Sequence, residues 1–598
     1  MKQATSIIVI PLALSAFTAN AQVEKQKPNV IFILTDDQGY GDLACNGNQW
    51  IKTPEMDKLY SQGVRFTNFH SGTTSAPTRA SLMTGKHFDR VGVWHTIMGR
   101  SLLKPGEKIL ADMMKEAGYS TAIFGKWHLG DNYPFRPQDR GFDESLVLRG
   151  GGVGQSPDFW GNDYFDDTFF RNGKPEKQQG YCTDVWFSQA LHFIQNNKSQ
   201  PFFCYIATNA PHGPYNVDPK YSQQYNGNQL IPNKDFYGMI SNIDENLGHL
   251  RNELEKLGIA DNTILIFMTD NGTAAGVNTD NQGYVNIGYG AGMRGKKGSE
   301  YEGGHRVPFF VYWKNGGIVG GKDEERLAFA PDVAPTILDL CGIKIKVEDQ
   351  FDGVSLKPLL KDNPAEWPDR ILIVDTQRDE KMKKWKNSAV MSQQWRLING
   401  TELYQIGCDP EQRTNAASKY PQVVSRMRNA YETWWKGIEP SNEEFYSIVL
   451  GSEHENPVRL SSHDLHTDGD NPSWSQDMVR KGIGSIGKWM VDVAEAGEYE
   501  FKVMRWPGES ALPLRSAAPD GNVLPDGKNA YMKGNALNII SANIQLRIIN
   551  ETIAVQNSKQ QSVIFRLKLD KGKNSLRTSF TDQKGKEYSA YYVEVKRL

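Results

Sequence analysis

The fold follows from residues 30–37, which read Val-Ile-Phe-Ile-Leu-Thr-Asp-Asp. Five consecutive apolar residues are typical of a strand that is buried on both faces of a sheet. A second stretch has the same form, because an apolar run over Thr263 to Met268 leads into Thr269-Asp270-Asn271-Gly272. We therefore expect two core strands that each end in a group of oxygen-bearing side chains.

Helical periodicity separates the strand-like runs. Helices are predicted over Glu107 to Ala117 and over Phe236 to Leu257, and each is followed by a glycine. Further strands are predicted over Tyr119 to Phe124 and over Pro201 to Ala207. Strands that alternate with helices of this length predict a mostly parallel α/β sheet, with ligands bound beyond the carboxyl ends of the strands.

The composition excludes several classes of protein. The chain has 598 residues, with 68 Lys and Arg against 70 Asp and Glu, and 39% of its residues are hydrophobic. The balanced charge gives no basic surface for nucleic acid, and the apolar content is far from that of a disordered chain. The five cysteines are an odd number and lack C-x-x-C spacing, so we expect at least one free thiol and no zinc site.

The first 21 residues indicate export. They combine a lysine at position 2, an apolar run from Ile7 to Leu14 and an Ala-Asn-Ala sequence at 19–21. This pattern predicts a secretory signal peptide over residues 1–21. We expect a periplasmic or secreted protein without membrane insertion, because no later apolar stretch reaches the roughly 18 residues that a span requires.

The character of the sequence changes near Pro440. Alternate apolar residues recur in four later segments, at Trp489–Val493, Tyr499–Val503, Val563–Leu569 and Tyr591–Val595. Period-two patterning predicts an antiparallel β-sandwich. We therefore divide the mature chain into an α/β domain at 22–345, a smaller α+β subdomain at 346–440 and an all-β domain at 441–598.

Two groups of residues offer chemistry. Asp36-Asp37 and Asp270-Asn271 present oxygen ligands that suit a hard cation, although each pair alone is more typical of a turn or a helix cap. Ser75 precedes good helix formers, and Arg79 lies one helical turn later, so both can face an anion at a helix N-terminus. The alternative is that Ser75 is an N-cap and Arg79 a solvated residue.

The second group begins a longer motif. Residues 75–85 read Ser-Ala-Pro-Thr-Arg-Ala-Ser-Leu-Met-Thr-Gly, which resembles the C/S-x-P-x-R and L-x-T-G signature of the type I sulfatases. Residues 118–130, Gly-Tyr-Ser-Thr-Ala-Ile-Phe-Gly-Lys-Trp-His-Leu-Gly, are similar to a second signature of that family. The resemblance continues at 210–214, 269–272, 295–298 and 301–304. It extends over residues 29 to about 435.

This resemblance implies an alkaline phosphatase-like fold, with a mixed sheet flanked by helices, and a sulfuric ester hydrolase. In the family, the residue at the position of Ser75 is oxidised to formylglycine (3-oxoalanine) and hydrated to a geminal diol. One diol oxygen attacks sulfur, and deprotonation of the other then expels sulfate, so no water need attack a crowded sulfur.

The resemblance also implies a role for each matching residue. Asp36, Asp37, Asp270, Asn271 and the modified Ser75 would bind one Ca²⁺, with Mg²⁺ the less favoured ion. Arg79, Lys126 and Lys297 would hold the diol and the sulfuryl oxygens. His128 would take the proton during elimination, and His212 would protonate the leaving oxygen.

Serine at position 75, in place of cysteine, implies maturation by an anaerobic radical-SAM enzyme. Exported sulfatases with an added β-domain resemble bacterial enzymes that act on polysaccharides or glycosaminoglycans. Candidate sugar contacts are Trp160 and Asp163 in the segment from Gly150 to Phe170, and Lys384-Trp385; the alternatives are an ordered surface loop and an amphipathic surface edge.

Other functions stay open at the level of sequence. A phosphodiester or phosphonate monoester hydrolase of the same superfamily would use similar metal and formylglycine parts. A protein that binds sulfated glycans without turnover is the alternative from a different class. In the tail, His463, His466 and Asp468 are more typical of turns than of a second metal site.

Overall fold

The computed structural model describes residues 27–344, 350–361, 367–467, 469–484 and 486–598. The predicted signal peptide, the proposed boundary at 345/346 and Asp468 lie outside these residues. No helix in the described part of the chain has both the length and the apolar character needed to cross a membrane.

A mixed sheet of ten strands lies at the centre of the described chain. In spatial order its strands are Lys322–Glu324, Val64–Phe66, Phe309–Tyr312, Thr263–Thr269, Asn29–Thr35, Phe202–Ala207, Ser120–Lys126, Glu144–Leu148, Thr168–Arg171 and Lys174–Lys177. The five from Thr263–Thr269 to Glu144–Leu148 run parallel to one another. Antiparallel strands continue the sheet on both sides.

Helices cover both faces of this sheet. Val30, Phe32 and Leu34 pack into the core on one face, while Ile31 and Ile33 pack into the core on the other. The first face carries the helices Ser75–Thr84, Leu110–Glu116 and Val333–Leu340, and the second carries Pro54–Gln62, Cys182–Asn197 and Lys234–Lys256. Burial on both faces explains the unbroken apolar run at residues 30–34.

The polypeptide beyond the central sheet forms two further assemblies. Four antiparallel strands, Leu372–Asp375, Ser388–Met391, Trp395–Ile398 and Glu402–Gln405, pack against the helix Pro421–Ile438. In the tail, Val458–Ser461, Tyr592–Arg597, Gly497–Met504 and Val563–Leu569 form one sheet, and Ile448–Leu450, Gly487–Val493, Gly572–Asp582, Ile539–Leu546 and Ile549–Ala554 form the main path of another. The two tail sheets enclose one apolar core, as expected for a β-sandwich.

Two differences from the predicted elements have physical causes. The helix predicted over Glu107 to Ala117 begins at Leu110, because the Asp112 carboxylate accepts the backbone N–H of Ile109 and fixes the first turn there. The strand Gly572–Asp582 was not predicted, since only Leu576 and Phe580 in it are large and apolar.

Candidate active site

The predicted acidic groups meet at the carboxyl ends of adjacent parallel strands. Leu34 pairs with Met268 and Thr35 with Thr269, so Asp36 and Asp270 follow at neighbouring positions. The backbone N–H of Asp37 donates to Asp270 Oδ1 at 3.0 Å. Ligand oxygens of the three aspartates lie within 4.8 Å of one another, and all three side chains are buried.

Ser75 is brought to this cluster by a helix. It is the first residue of Ser75–Thr84, a helix that ends at Gly85 in a left-handed conformation with φ of 67°. Thr74 occupies the N-cap position, so the N-cap alternative for Ser75 is wrong. The Ser75 hydroxyl donates to Asp36 Oδ1 at 2.7 Å, and its oxygen lies 3.4 Å from Asn271 Oδ1.

Three cations surround the carboxylates. Arg79 is 1% exposed, which excludes the solvated alternative; it donates to Asp270 Oδ2 at 3.0 Å and to the carbonyl oxygen of Lys126 at 2.8 Å. Lys126 Nζ donates to Asp36 Oδ2 at 2.7 Å. Lys297 Nζ donates to Asp37 Oδ2 at 2.7 Å. Each cation therefore has a carboxylate partner.

The electrostatics of the three carboxyls differ. Burial raises the pKa of Asp36, but the opposing effect of Lys126 and other cations is larger. The pKa of Asp36 therefore lies below its ordinary value. The pKa of Asp37 is lowered in the same way, with Lys297 as the main opposing charge to burial. The pKa of Asp270 is raised, because burial and the neighbouring charge of Asp36 outweigh the cations.

Two histidines face the same region. His128 adopts φ of 62°, and its Nε2–H donates to the carbonyl oxygen of Thr96 at 2.9 Å. Its Nδ1 has no hydrogen-bond partner among the described residues and so carries a free lone pair. His212 donates from Nδ1 to the carbonyl oxygen of Gly213 at 2.6 Å, and its Nε2 lies 3.8 Å from Asp37 Oδ2.

Burial sets the protonation of both rings. It lowers the pKa of His128 well below the ordinary value, and Lys126 adds to that effect. Burial also lowers the pKa of His212, although the adjacent Asp37 opposes the shift. Both imidazoles are therefore biased toward the neutral form.

Five of the site residues line one cavity of about 580 Å³, called here the active-site cavity. Its lining includes Ser75, Lys126, His128, His212 and Lys297. A second cavity of about 570 Å³ shares His212 and Lys297 with it and continues toward the tail, where Trp474, Tyr531 and Met532 line it. No pattern in the sequence indicates that tail residues form a wall beside this centre.

The candidate sugar contacts near position 160 lie elsewhere. Trp160 packs edge-on against Trp506 with ring centroids 5.3 Å apart, and Asp163 accepts a hydrogen bond from Asn522 Nδ2 at 2.9 Å. Both side chains thus attach the α/β part to the tail and line neither cavity. From the same segment, it is Gln155 that lines both.

Lys384 and Trp385 are also occupied by other contacts. Trp385 stacks on Tyr431 with ring centroids 3.6 Å apart, and Lys384 pairs with Glu432. The active-site cavity is lined instead by the next two residues, 386 and 387. None of the four predicted sugar contacts, Lys384, Trp385, Trp160 and Asp163, lines the active-site cavity.

Comparison with known proteins gives the family. Residues 28–343 match the family model described as Sulfatase, and residues 296–435 match the model described as N-sulphoglucosamine sulphohydrolase, C-terminal. The chain belongs to the sulfatase family. As a sulfatase it is a sulfuric ester hydrolase, and the resemblance stated from its motifs is confirmed.

Relatives of this sulfatase are found in bacteria and mammals. It is 28% identical over 519 residues to a protein named "Uncharacterized sulfatase YdeN" from Escherichia coli strain K12, which covers 72% of this chain and 89% of that one. It is 31% identical over 393 residues to N-acetylgalactosamine-6-sulfatase of Mus musculus, with coverage of 60% and 71%.

A solved structure agrees with the fold. The crystal structure of Ps i-CgsB in complex with k-i-k-neocarrahexaose superposes with a TM-score of 0.62 at 28% identity, covering 70% of this chain and 95% of that one. The predicted alkaline phosphatase-like α/β fold is confirmed.

Proposed function

We propose that this sulfatase is exported and releases inorganic sulfate from a sulfated carbohydrate by means of a formylglycine formed from Ser75. The observation that carries the proposal is the position of the Ser75 hydroxyl, 2.7 Å from Asp36 Oδ1 on the wall of the active-site cavity. A formylglycine at this position, hydrated to its geminal diol, would supply a hydroxyl nucleophile, and deprotonation of the second hydroxyl would expel sulfate and regenerate the aldehyde.

The oxygen donors at this centre fit Ca²⁺. Asp36, Asp37 and Asp270 place buried carboxylate oxygens within 4.8 Å of one another, and Asn271 adds an amide oxygen 3.4 Å from Ser75 Oγ. An all-oxygen set with several carboxylates suits a hard cation of flexible coordination. A bound Ca²⁺ would lower the pKa of a neighbouring hydroxyl and polarise an S–O bond.

The contacts of the cations and histidines support a role for each of them. Lys126 and Lys297 lie at the cavity and can donate to the oxygens of a sulfate ester, while Arg79 fixes Asp270 from within the protein. His128 can accept a proton at Nδ1, because its Nε2–H is held by the Thr96 carbonyl. His212 presents Nε2 toward the site and can deliver a proton to the leaving oxygen once that nitrogen is protonated.

The names of relatives support a sugar sulfate as the substrate class. They include N-acetylgalactosamine-6-sulfatase and, from Bacteroides thetaiotaomicron, N-acetylglucosamine-6-O-sulfatase. The cavity is large enough for a monosaccharide, since small-molecule sites occupy about 300–1,000 Å³. We infer that the substrate is a sulfated polysaccharide or glycosaminoglycan fragment.

Formation of the formylglycine needs a maturation enzyme, and an exported sulfatase acts outside the cytoplasm. Because position 75 is serine, we infer that an anaerobic radical-SAM maturase forms the formylglycine. The signal-like sequence at residues 1–21 supports export to the periplasm or the medium.

A sulfate-release screen with and without the maturase tests the proposal. The protein is coexpressed anaerobically with a radical-SAM maturase or without it, and both preparations are incubated with sulfated mono- and disaccharides, an aryl sulfate and an aryl phosphonate. We expect the matured protein to release sulfate and to prefer the aryl sulfate over the aryl phosphonate. Faster phosphonate turnover would favour the phosphonate hydrolase alternative, and glycan binding without release by matured protein would favour the non-catalytic one.

A further inference from the structure

The charge lining the active-site cavity exceeds what one sulfate ester requires. The lining includes the cations Lys126, Lys296, Lys297, Arg378 and Lys386, and none of the described lining residues is Asp or Glu. A cavity lined by one sign of charge concentrates ligands of the opposite sign. The excess therefore points to a ligand with more than one negative group.

Three of these cations already have carboxylate partners. Lys126 pairs with Asp36 and Lys297 with Asp37, and Lys386 pairs with Asp379. Those pairs lower the net charge that these three side chains offer to a ligand.

The other two cations have no carboxylate partner among the described residues. The side chains of Lys296 and Arg378 have no hydrogen bond or ion pair within the described ranges of the chain. Asp37 is the carboxylate whose charge acts on Arg378, but Lys297 already binds that carboxylate. Lys296 and Arg378 therefore supply two positive charges without a carboxylate pair in the part of the chain that the structure describes.

Hydrogen bonds hold in place the two segments that carry Lys296 and Arg378. The turn that carries Lys296 is held by the hydrogen bond from Lys297 N to Thr273 O at 3.1 Å and from Gly298 N to Thr73 O at 2.9 Å. The segment before Arg378 is anchored by Thr376, whose hydroxyl lies 2.6 Å from that of Thr73.

The two segments also meet each other. A methyl group on Gly298 would lie 4.0 Å from Arg378 Nη2, so the guanidinium sits beside the turn that carries Lys296. Thr73 anchors both segments and is two residues from Ser75. The pair of cations is thus placed on the cavity wall close to the reacting group.

We propose that Lys296 and Arg378 form a second anion subsite, which binds a second sulfate or a carboxylate on the sugar whose first sulfate lies at Ser75. This inference rests on the proposed function and specifies the substrate class, which is a glycan with at least two anionic groups close together. The planar guanidinium suits an oxyanion because it can donate two parallel N–H bonds, and the lysine adds a point charge.

Binding to the unmodified serine form tests the subsite without turnover. Calorimetry in the presence of Ca²⁺ compares N-acetylgalactosamine 6-sulfate with two probes that add one anionic group, the 4,6-disulfate and a disaccharide in which a uronic acid is linked to the 6-sulfated sugar. The full-length protein should bind at least one of these probes about tenfold more tightly than the monosulfate, the gain typical of one charge-assisted contact. The two probes distinguish a sulfate from a carboxylate as the second group.

The variant that removes both cations is Lys296→Met with Arg378→Met. We expect its preference for the second anionic group to fall below about threefold. The matched control is Lys256→Met with Arg566→Met, which removes one lysine and one arginine whose side chains are 71% and 72% exposed and which do not line the cavity. The control should keep the preference of the wild type.

The outcomes separate the subsite from the proposed function. No preference in the wild type, or a preference that persists in the Lys296/Arg378 double variant, overturns the subsite. Sulfate release by matured enzyme without such a preference leaves the proposed function intact and removes only the subsite. If the preference depends on Lys296 and Arg378 but the matured protein releases no sulfate, the subsite is supported and the proposed function is overturned.

Discussion

Two buried clusters in this molecule place potential metal ligands equally close together. In one, Asp36, Asp37 and Asp270 have ligand atoms within 4.8 Å of one another, and in the other the same is true of His70, Glu302 and His305. Proximity of ligand atoms therefore does not by itself distinguish a metal site from a structural network.

The second cluster is held together by contacts within the protein. Glu302 accepts a hydrogen bond from Arg396 Nε at 2.6 Å, and both side chains are at most 1% exposed. His70 Nδ1 lies 2.8 Å from His305 Nδ1, and His70 Nε2 lies 2.9 Å from Asn68 Oδ1. Its one carboxylate is already matched by a guanidinium, and its three ligand residues line neither cavity.

The first cluster differs in charge and in access. It gathers three carboxylates around the Ser75 hydroxyl, and Ser75 lines a cavity that a substrate can enter. Like charges at such short range favour a divalent cation. A set of three clustered carboxylates next to an open cavity therefore distinguishes this centre from the buried network, which holds one carboxylate.

The largest effect should come from removing the nucleophile of the first cluster. Ser75→Ala leaves the carboxylates in place but removes the atom that becomes the aldehyde. Sulfate release by protein from maturase-containing cells should fall at least about a thousandfold, as for loss of a covalent nucleophile. Thermal unfolding should change little, and retention of more than a tenth of the activity would show that another group attacks sulfur.

The next effect concerns the metal. In Asp37→Asn one carboxylate is lost, while its partner Lys297 is 19% exposed and can turn to solvent. We expect Ca²⁺ affinity to fall at least about tenfold and sulfate release about a hundredfold, because ligand charge sets the affinity of oxygen sites. Metal content and the Ca²⁺-dependent rise in melting temperature measure this, and unchanged binding would place the ion elsewhere.

The equivalent carboxylate-to-amide substitution in the second cluster should lower the stability of the fold and leave metal binding unchanged. Glu302→Gln leaves Arg396 buried without its counter-charge, so the free energy of unfolding should fall by roughly 3 kcal/mol. Denaturant unfolding measures the loss. The metal content per folded molecule should equal that of the wild type, and a loss of bound metal would contradict the distinction between the clusters.

The smallest effect is the pH dependence of that loss. Burial raises the pKa of Glu302, but Arg396, His70 and His305 lower it well below its ordinary value. The ionised Glu302 therefore stabilises the fold above the unfolded pKa of about 4.3, and this stabilisation diminishes as pH falls toward the folded pKa. The difference between wild type and Glu302→Gln should be about 1 kcal/mol smaller at pH 3.5 than at pH 6; a constant difference would mean that charge is not its source.

Much of the centre was predictable because it follows from strand ends. The apolar runs before Asp36 and Asp270 are long enough to identify buried strands, and parallel pairing then brings the two acidic residues together. Lys126 likewise ends the strand Ser120–Lys126. The resemblance to the sulfatase signatures supplied the role of Ser75, which spacing alone left open.

Other features depend on long-range packing that a single sequence does not express. Trp160 is covered by Trp506, which lies 346 positions later in the chain, and Arg396 reaches Glu302 across 94 positions. Arg378 reaches the cavity because Thr376 meets Thr73. No local pattern marks such contacts, so the wall of the cavity was found only in the structure.

The most direct test of the formylglycine mechanism compares the extent of Ser75 modification with the rate of sulfate release. Preparations with different maturase levels are digested, and the fraction of the Ser75 peptide that has lost about two mass units, the hydrogen removed in forming an aldehyde, is compared with the rate of sulfate release. If the formylglycine formed from Ser75 carries the reaction, the relation is proportional and passes through zero. Substantial sulfate release from protein whose Ser75 is entirely intact would contradict it.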